Sequence, residues 1–405
     1  MSSGVVVLIL AALLGAQAIT SDLYLPALPA LTEGFGAPMS KAQLTLSAML
    51  LAFGLSQLIW GPLSDRFGRR PILLLGLAAY IAAAIGSALA SSMDLLIVWR
   101  ALQGAAMGAG VMCARAIIRD LYVPAEGARA MSKALSGLGL IACLSAPVGG
   151  LLSDLFNWRV ALLALAVFGA AALALVATRF EETLPRKNPR ALEPVTLVRT
   201  WLMIARNPTF LAYSALSVTS YAGLFTYLGT SSFVLIKVLG LSKTQYGLCM
   251  FAVSFVYILG TFMCRRMLPR LGVRRSVAWA CGLTLAAGTA MGVCALAGLS
   301  SGAHGAWFIV VPFCCFMLAH GVHQPCGQSG AVGPFPLSAG AASALNGFLV
   351  TLAAFAMGGW LGAHMDGTVF PLTNGVWFWS AMIALSGWTL VQKYGEPARA
   401  ANSGR

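Results

Sequence analysis

Long apolar runs separated by short polar loops make up most of this chain. Twelve runs can be placed, at residues 4–25, 43–62, 71–90, 95–118, 133–154, 159–178, 209–233, 245–266, 275–299, 305–327, 339–363 and 373–392. Each run is close to the length of about 20 residues that an α-helix needs to cross a bilayer. Because a helix bonds its own backbone polar groups, such runs indicate membrane-spanning helices. The pattern therefore predicts an all-α membrane protein with twelve transmembrane helices.

The longest polar stretch lies between the sixth and seventh runs and divides the chain. We predict a first six-helix half at 1–180, a linker at 181–207, a second six-helix half at 208–395 and a cytoplasmic tail at 396–405. The loop RFGRR at 66–70 is echoed by RLGVRR at 270–275. Paired loops of this kind favour two pseudo-symmetric halves with a central binding site at their interface.

Composition and charge placement narrow the class further. The chain is 59% hydrophobic and 9% charged, whereas soluble domains carry about 25% charged residues. The net charge of +14 does not indicate nucleic-acid binding, because the basic residues lie in short loops. Twenty lysines and arginines fall on one side of the predicted bundle, and only Lys41, Arg159, Lys237 and Lys243 fall on the other. The positive-inside rule then places both termini in the cytoplasm and the multi-pass chain in a bacterial inner membrane.

The loop GPLSDRFGRRP at 61–71 carries the most specific motif. It resembles the signature loop of the major facilitator superfamily, and its Gly and Pro favour a tight turn between two spans. The resemblance implies a cytoplasmic gating motif, which comprises Gly61, Asp65, Arg66, Gly68, Arg69 and Arg70, with Asp120 at the inner end of the fourth run. We expect Asp65, Arg66 and Arg69 to form a charge cluster with Asp120. Independent surface charges are the alternative.

Further segments extend the resemblance over nearly the whole chain. RALQG at 100–104 resembles the buried-arginine motif of the superfamily. APVGG at 146–150 resembles its antiporter motif through Pro147, Gly149 and Gly150, but Ala146 replaces the usual Gly. Three more segments, at 21–29, 115–120 and 225–228, are similar to the Bcr/CflA drug-resistance group. That resemblance implies proton-driven export of drugs such as bicyclomycin, chloramphenicol-type compounds and sulfonamides.

Ionisable residues inside the predicted helices are functional candidates, since placing a charge in hydrocarbon is costly. Asp22, near the outer end of the first run, is predicted to carry the coupling proton. Arg100, near the outer end of the fourth run, lies at a similar depth and is expected to meet Asp22. The alternatives are that Asp22 caps its helix and that Arg100 makes purely structural hydrogen bonds.

Other polar and aromatic residues are candidates for the substrate cavity. These are Tyr24, Gln103, Arg115, Tyr221, Phe225, Tyr227 and Asn346. The aromatic side chains also fit ordinary packing, and Arg115 also fits a side chain that reaches the headgroups. His320, His323 and Cys326 share a helix face and fit a soft-metal site, a proton relay or a polar lining. We assign no metal site to them.

These observations together predict a transporter rather than an enzyme. The sequence contains no His-Glu-x-x-His motif and no Gly-Lys-Ser/Thr phosphate loop. ATP is therefore not the expected energy source, and no cofactor is expected. We predict a monomeric, proton-coupled exporter of small amphipathic drug-like molecules, with protons and the lipid bilayer as its other partners. A dedicated exporter or importer of one metabolite, such as an amino acid or a sugar, is the alternative.

Overall fold

The computed structural model describes residues 1–122, 124–184, 187, 192–335 and 338–395, and within them the chain is helical without strands. The helices of the first half are α1 Ser3–Asp22, α2 Leu28–Phe35, α3 Met39–Phe67, α4 Arg69–Ala88, α5 Met93–Leu121, α6 Pro124–Leu155 and α7 Trp158–Arg179. The linker contains α8 Pro194–Ala205. This confirms the predicted all-α class, while the predicted tail at 396–405 lies outside the described residues.

The predicted second half also consists mainly of long helices. It contains α9 Pro208–Ser232, a π-helical turn Phe233–Val238, α10 Lys243–Leu296, α11 Gly302–Gly305, α12 Trp307–Val332, α13 Ala339–His364, α14 Phe370–Trp388 and α15 Leu390–Tyr394. α10 is 54 residues long and bends at Gly272, whose φ of 72° is left-handed. Because Gly lacks a Cβ, it adopts this conformation without strain. The two limbs of α10 correspond to the eighth and ninth predicted runs.

Nine helices in the described part of the chain are long and apolar enough to cross a membrane. α10 counts once among them, although each of its limbs is long enough to span. α9 and α14, with 25 and 19 residues, are the other two helices at predicted runs. These three helices account for the difference between nine and twelve, and twelve spans stays a prediction.

Local sequence explains where several of these helices begin. The Ser92 hydroxyl accepts a hydrogen bond from the Leu95 N–H at the start of α5, and the Asn157 side chain accepts from two N–H groups at the start of α7. Ser242 and Gln245 form a capping box at the start of α10. Such caps satisfy N–H groups that the helix itself leaves free.

Small residues bring the predicted halves into close contact. A Cβ added to Gly54 of α3 would overlap the Thr351 hydroxyl of α13, and one added to Gly358 of α13 would lie 2.5 Å from Cβ of Ser47. A Cβ added to Gly247 of α10 would lie 2.8 Å from the Ala146 carbonyl oxygen of α6. Membrane helices approach each other through small residues in this way. The interface between the predicted halves thus consists of two helix pairs. One pair is α3 with α13, and the other is α6 with α10.

Candidate functional site

A cavity of about 670 Å³ lies between the halves, at the end of the bundle that holds the linker. We call this the linker end and the opposite end the far end. Helices α3, α5, α8 and α13 supply its walls. Among the predicted cavity residues, Arg115 lines this space. Its guanidinium donates a hydrogen bond of 2.8 Å to the Ser343 hydroxyl, which joins α5 to α13 across the halves.

A charge cluster stands at the linker end. The buried Arg69 guanidinium contacts the Asp65 carboxylate at 2.7 Å and the Asp120 carboxylate at 2.9 Å. Arg119 approaches the same two carboxylates at 3.5 and 3.8 Å. All four residues belong to α3, α4 and α5, so the cluster joins helices within the first half. It therefore does not itself bridge the two halves.

Arg66 is not part of this cluster, contrary to our expectation. Its guanidinium lies 5.5 Å from the ring centre of its neighbour Phe67, and Arg119 occupies the place that we predicted for it. Arg66 is exposed on the last turn of α3, and side chains adjacent in a helical sequence, such as those of Asp65 and Arg66, do not face each other. Arg70 instead donates hydrogen bonds of 3.0 Å to the carbonyls of Phe180 and Ala177.

Glu182, which sequence reasoning did not single out, caps the start of α4. Its carboxylate accepts hydrogen bonds from the N–H groups of Arg69 at 2.9 Å and Arg70 at 3.1 Å. Gly68 makes room for this contact, because its φ is 110° and an added Cβ would lie 2.5 Å from Glu182 Oε2. Burial raises the pKa of the Glu182 carboxyl, but four backbone N–H donors outweigh burial and hold the pKa below its ordinary value.

Asp22 lies where α1 meets the second half. Its Oδ1 accepts a hydrogen bond of 2.7 Å from the Ser21 hydroxyl. The turn Leu25–Ala27, shortly after Asp22, contacts α9 and α10 of the second half. Asp22 is partly exposed, unlike its buried neighbour Ser21. Asp22 therefore lies close to the boundary between the predicted halves.

Arg100 does not contact Asp22, so the expected pairing is wrong. Its buried guanidinium donates to the Gln103 side-chain oxygen at 2.6 Å and to the Thr20 carbonyl at 2.8 Å. The Tyr24 ring lies 4.2 Å below it. Arg100 thereby fixes the end of α1 just before Asp22. The two residues lie at a similar level in the bundle. Their side chains nevertheless have different partners, Ser21 for Asp22 and Gln103 with Thr20 for Arg100.

The antiporter-type segment lies at the interface between the halves. A Cβ on Gly149 would overlap the Leu23 carbonyl of the first helix, directly after Asp22. A Cβ on Gly150 would lie 2.5 Å from the Lys243 carbonyl of α10. Pro147 contacts Gly247 of α10. These residues let α6 approach the Asp22 region and the second half together.

The remaining predicted cavity residues do not line the linker-end cavity. Tyr221 of α9 is partly exposed, and Gln103 is buried beside Arg100. Tyr24 forms a hydrogen bond with the Thr45 hydroxyl, and Tyr227 stacks on Phe313 at 3.6 Å. Phe225 is fully buried in α9. Asn346 is also buried, and its side-chain oxygen has no hydrogen-bond partner among the described residues.

The two histidines face different neighbours. His320 Nδ1 lies 2.7 Å from the Ser220 hydroxyl, and His323 Nε2 lies 3.7 Å from Cys281 Sγ. In the part of the chain that the structure describes, no three His, Cys, Asp or Glu side chains group to hold a metal ion. Both histidines therefore lie as separate polar groups in the second half.

The far end is closed by polar contacts between the halves. Lys237 forms an ion pair with Glu33. Asp154 at the end of α6 accepts hydrogen bonds from the Thr244 N–H at 2.9 Å and the Thr244 hydroxyl at 2.6 Å. Sequence reasoning missed these pairs, although Lys237 and Lys243 stand out as basic residues on the sparsely charged side. Lys243 lies 3.9 Å from the Asp154 carboxylate. The acidic partners Glu33 and Asp154 are both far from these lysines along the chain.

Comparison with known proteins gives consistent matches over most of the chain. A family model described as Major Facilitator Superfamily matches residues 8–359. Multidrug resistance protein D of Escherichia coli (strain K12) is 30% identical over 349 residues, 84% of each chain. The bicyclomycin resistance protein homolog of Haemophilus influenzae is 26% identical over 352 residues, 87% of each. The partially occluded inward-open xylose transporter of E. coli shares the fold, with a TM-score of 0.73, 14% identity and coverage of 97% of this chain and 98% of that one.

Proposed function

This chain belongs to the Major Facilitator Superfamily, and we propose that it exports small amphipathic drug-like molecules in exchange for protons. It is a multi-pass membrane transporter with relatives named for multidrug and bicyclomycin resistance. The exchange uses alternating access, in which the halves rock about a central site. The linker end faces the cytoplasm of the inner membrane, because it carries most of the basic residues.

The observation that carries this proposal is the position of Asp22 between the halves. The end of α1 at Asp22 packs against α6, where the Leu23 carbonyl meets Gly149, and the turn Leu25–Ala27 beyond it contacts α9 and α10 of the second half. Separation of the halves would expose Asp22 to water, and their closure would desolvate it. Desolvation favours the protonated carboxyl and water favours the carboxylate. One residue can therefore bind and release a proton as the access changes.

The two ends of the molecule support the same mechanism. The far end is held shut by Glu33 with Lys237 and by Asp154 with Thr244, whereas a cavity is present at the linker end. This arrangement corresponds to a state that receives substrate from the linker side. Release on the far side then requires the far-end contacts to break.

A susceptibility panel tests the proposal directly. The protein and its Asp22→Asn variant are expressed at matched levels in a bacterial host that lacks its own exporters, and growth is measured with bicyclomycin and chloramphenicol. We expect wild-type protein to raise the inhibitory concentration of at least one drug and Asp22→Asn to lose that protection. Asp94→Asn is the matched control, since Asp94 pairs with Lys41 inside the first half.

Two results would contradict the proposal. Protection that survives in Asp22→Asn would remove Asp22 from the mechanism. Failure of the wild type to protect against any compound on a broad panel would favour a transporter of a single metabolite instead.

A further inference from the structure

Arg115 is set apart from the other charged residues that line the linker-end cavity. Asp65, Arg69 and Arg119 are paired within the charge cluster, to which Asp120 contributes the second carboxylate. Glu193 accepts a hydrogen bond from the Thr196 hydroxyl at the start of α8. Among the described residues, Arg115 has the Ser343 hydroxyl as its polar partner and forms no ion pair with a carboxylate. Glu193 is exposed, so Arg115 is the partly buried charge of this cavity that no carboxylate of the described residues pairs.

This charge has unused capacity to bind a ligand. A guanidinium has five N–H donors and does not deprotonate in proteins, and the bond to Ser343 uses one of these donors. Arg115 is partly buried, and a charge that is partly withdrawn from water is costly where its donors lack partners. An anionic oxygen would satisfy several donors at once through charge-assisted hydrogen bonds.

The wall around Arg115 is mainly apolar and includes an aromatic ring. Leu58 of α3, Met112 of α5, and Leu197 and Trp201 of α8 line the same cavity. Apolar pockets with a few placed polar groups bind ligands whose body is hydrophobic and whose orientation the polar group fixes. The cavity volume of about 670 Å³ is sufficient for a drug-sized molecule.

We propose that Arg115 binds the anionic group of an amphipathic substrate, such as a carboxylate, a sulfonate or an ionised phenol. The apolar wall holds the body of that substrate. This inference rests on the proposed function, because it assigns a substrate class to the same transport cavity. It separates organic anions, which use Arg115, from neutral drugs, which bind the apolar wall alone.

Two matched dyes test the inference. The sulfonate 8-anilinonaphthalene-1-sulfonate and neutral N-phenyl-1-naphthylamine share one aromatic skeleton and differ by the anionic group. Their binding to protein in phosphatidylcholine nanodiscs is measured by equilibrium dialysis, with empty nanodiscs subtracted. We expect Arg115→Gln to weaken binding of the sulfonate about tenfold, the size expected for one charged hydrogen bond. Binding of the neutral dye should stay unchanged, which also shows that the variant is folded.

Three variants separate anion binding from a structural role of Arg115. Arg115→Lys should retain part of the affinity for the sulfonate, because it keeps the charge. Ser343→Ala removes the bond between α5 and α13 but leaves the guanidinium, so the affinity should change little. Arg265→Gln removes an exposed charge from the same end, outside the cavity, and should have no effect. Equal weakening by Ser343→Ala and Arg115→Gln would overturn the inference.

An anionic lipid could supply the same headgroup chemistry, and the lipid composition distinguishes this source. If nanodiscs containing phosphatidylglycerol abolish the Arg115-dependent binding of the sulfonate, a lipid is the occupant and the substrate assignment is wrong. Binding that persists supports the substrate assignment. Failure of the wild type to confer drug resistance would contradict the proposed function, whereas loss of selectivity between the two dyes contradicts only this inference.

Discussion

Arg100 stabilises the end of α1 through hydrogen bonds to a carbonyl and an amide. It reaches Thr20 from α5, and Thr20 itself accepts or donates a hydrogen bond with the Tyr80 hydroxyl at 2.7 Å. Asp22 follows two residues later. Arg100 is thus a positioning residue for Asp22, which acts by setting where α1 ends.

We predict that Arg100→Ala lowers the transport rate at least about tenfold, because charged hydrogen bonds contribute about 1.5–3 kcal/mol each. Arg100→Lys should keep part of the rate by restoring one donor. The measurement is drug uptake into energised inverted vesicles, together with the apparent melting temperature of purified protein. Arg159→Ala, at an arginine near the far end, is the control. Unchanged uptake by Arg100→Ala would show that α1 does not need this support.

For single residues, the sequence predicts the level of a side chain along the bundle better than it predicts which side chains touch. The counting of residues along α1 and α5 correctly puts Asp22 and the Arg100 region at the same level, because a helix rises uniformly. It does not predict which way each side chain points around its helix axis. That direction depends on how α1, α5 and α6 pack, which the chain pattern alone does not specify.

Among the elements, α4 depends on a cap supplied from beyond α7. The Glu182 carboxylate lies at the N-terminus of α4, where the free N–H groups and the helix dipole favour a negative charge. The pKa of Glu182 is held below its ordinary value of 4.5. Its contribution to stability is therefore present above pH 4.5 and is lost as the pH falls through the lower pKa of the folded state.

We predict that Glu182→Gln destabilises the protein by about 1 kcal/mol at pH 7, the typical size of a helix cap. The difference from wild type should begin to narrow below pH 4.5, where the unfolded state gains a proton, and should vanish below the lower pKa of the folded carboxyl. Thermal unfolding of purified protein between pH 3.5 and 7 is the measurement. Glu181→Gln, at the exposed neighbouring acid, should have little effect. A pH-independent difference would contradict this account of the cap.

The contact between α6 and α10 leads to a prediction about the far end. Gly150→Ala would place a methyl group 2.5 Å from the Lys243 carbonyl, and overpacking of this kind costs about 1–3 kcal/mol. We expect the closed far end to lose population, which spin-label distances between α6 and α10 would report. Gly359→Ala is the matched control, because nothing lies within 4 Å of an added Cβ there. Equal distance distributions in both variants would contradict the prediction.

Element positions were the most predictable feature, and helix junctions the least. The apolar runs correspond to the long helices because each must span the bilayer. The sequence shows RLGVRR at 270–275 as a loop, whereas α10 continues through it with a bend at Gly272. The similarity between the segments 66–70 and 270–275 is also present in the backbone conformation, since Gly68 and Gly272 both have positive φ.

For the whole molecule, the closed far end depends on pairs that join the halves. Glu33 and Lys237 are exposed, so their ion pair contributes only about 0–1 kcal/mol. The free-energy difference between two access states can nevertheless be small enough for such a pair to change their populations. The predicted halves provide the rigid units, but the residues that lock them are far apart in sequence. This separation explains why the sequence did not predict the partners.

We predict that Lys237→Glu shifts the population toward a far end that is open, because it places two acids together. The charge-swapped pair Glu33→Lys with Lys237→Glu should restore the wild-type distribution. Spin-label distances across the far end measure the open and closed populations of the single variant and of the charge-swapped variant. Lys41→Glu is the control, since Lys41 pairs with Asp94 inside the first half at 2.8 Å. An identical effect of Lys41→Glu and Lys237→Glu would show that the pair is not specific.

Proton exchange at Asp22 is the central claim, and drug-evoked proton release tests it most directly. Purified protein in weakly buffered detergent solution is mixed with a drug that it exports, and the pH is followed with a dye. The account predicts release of protons by the wild type and by Asp94→Asn, and no release by Asp22→Asn. Undiminished release by Asp22→Asn would contradict it.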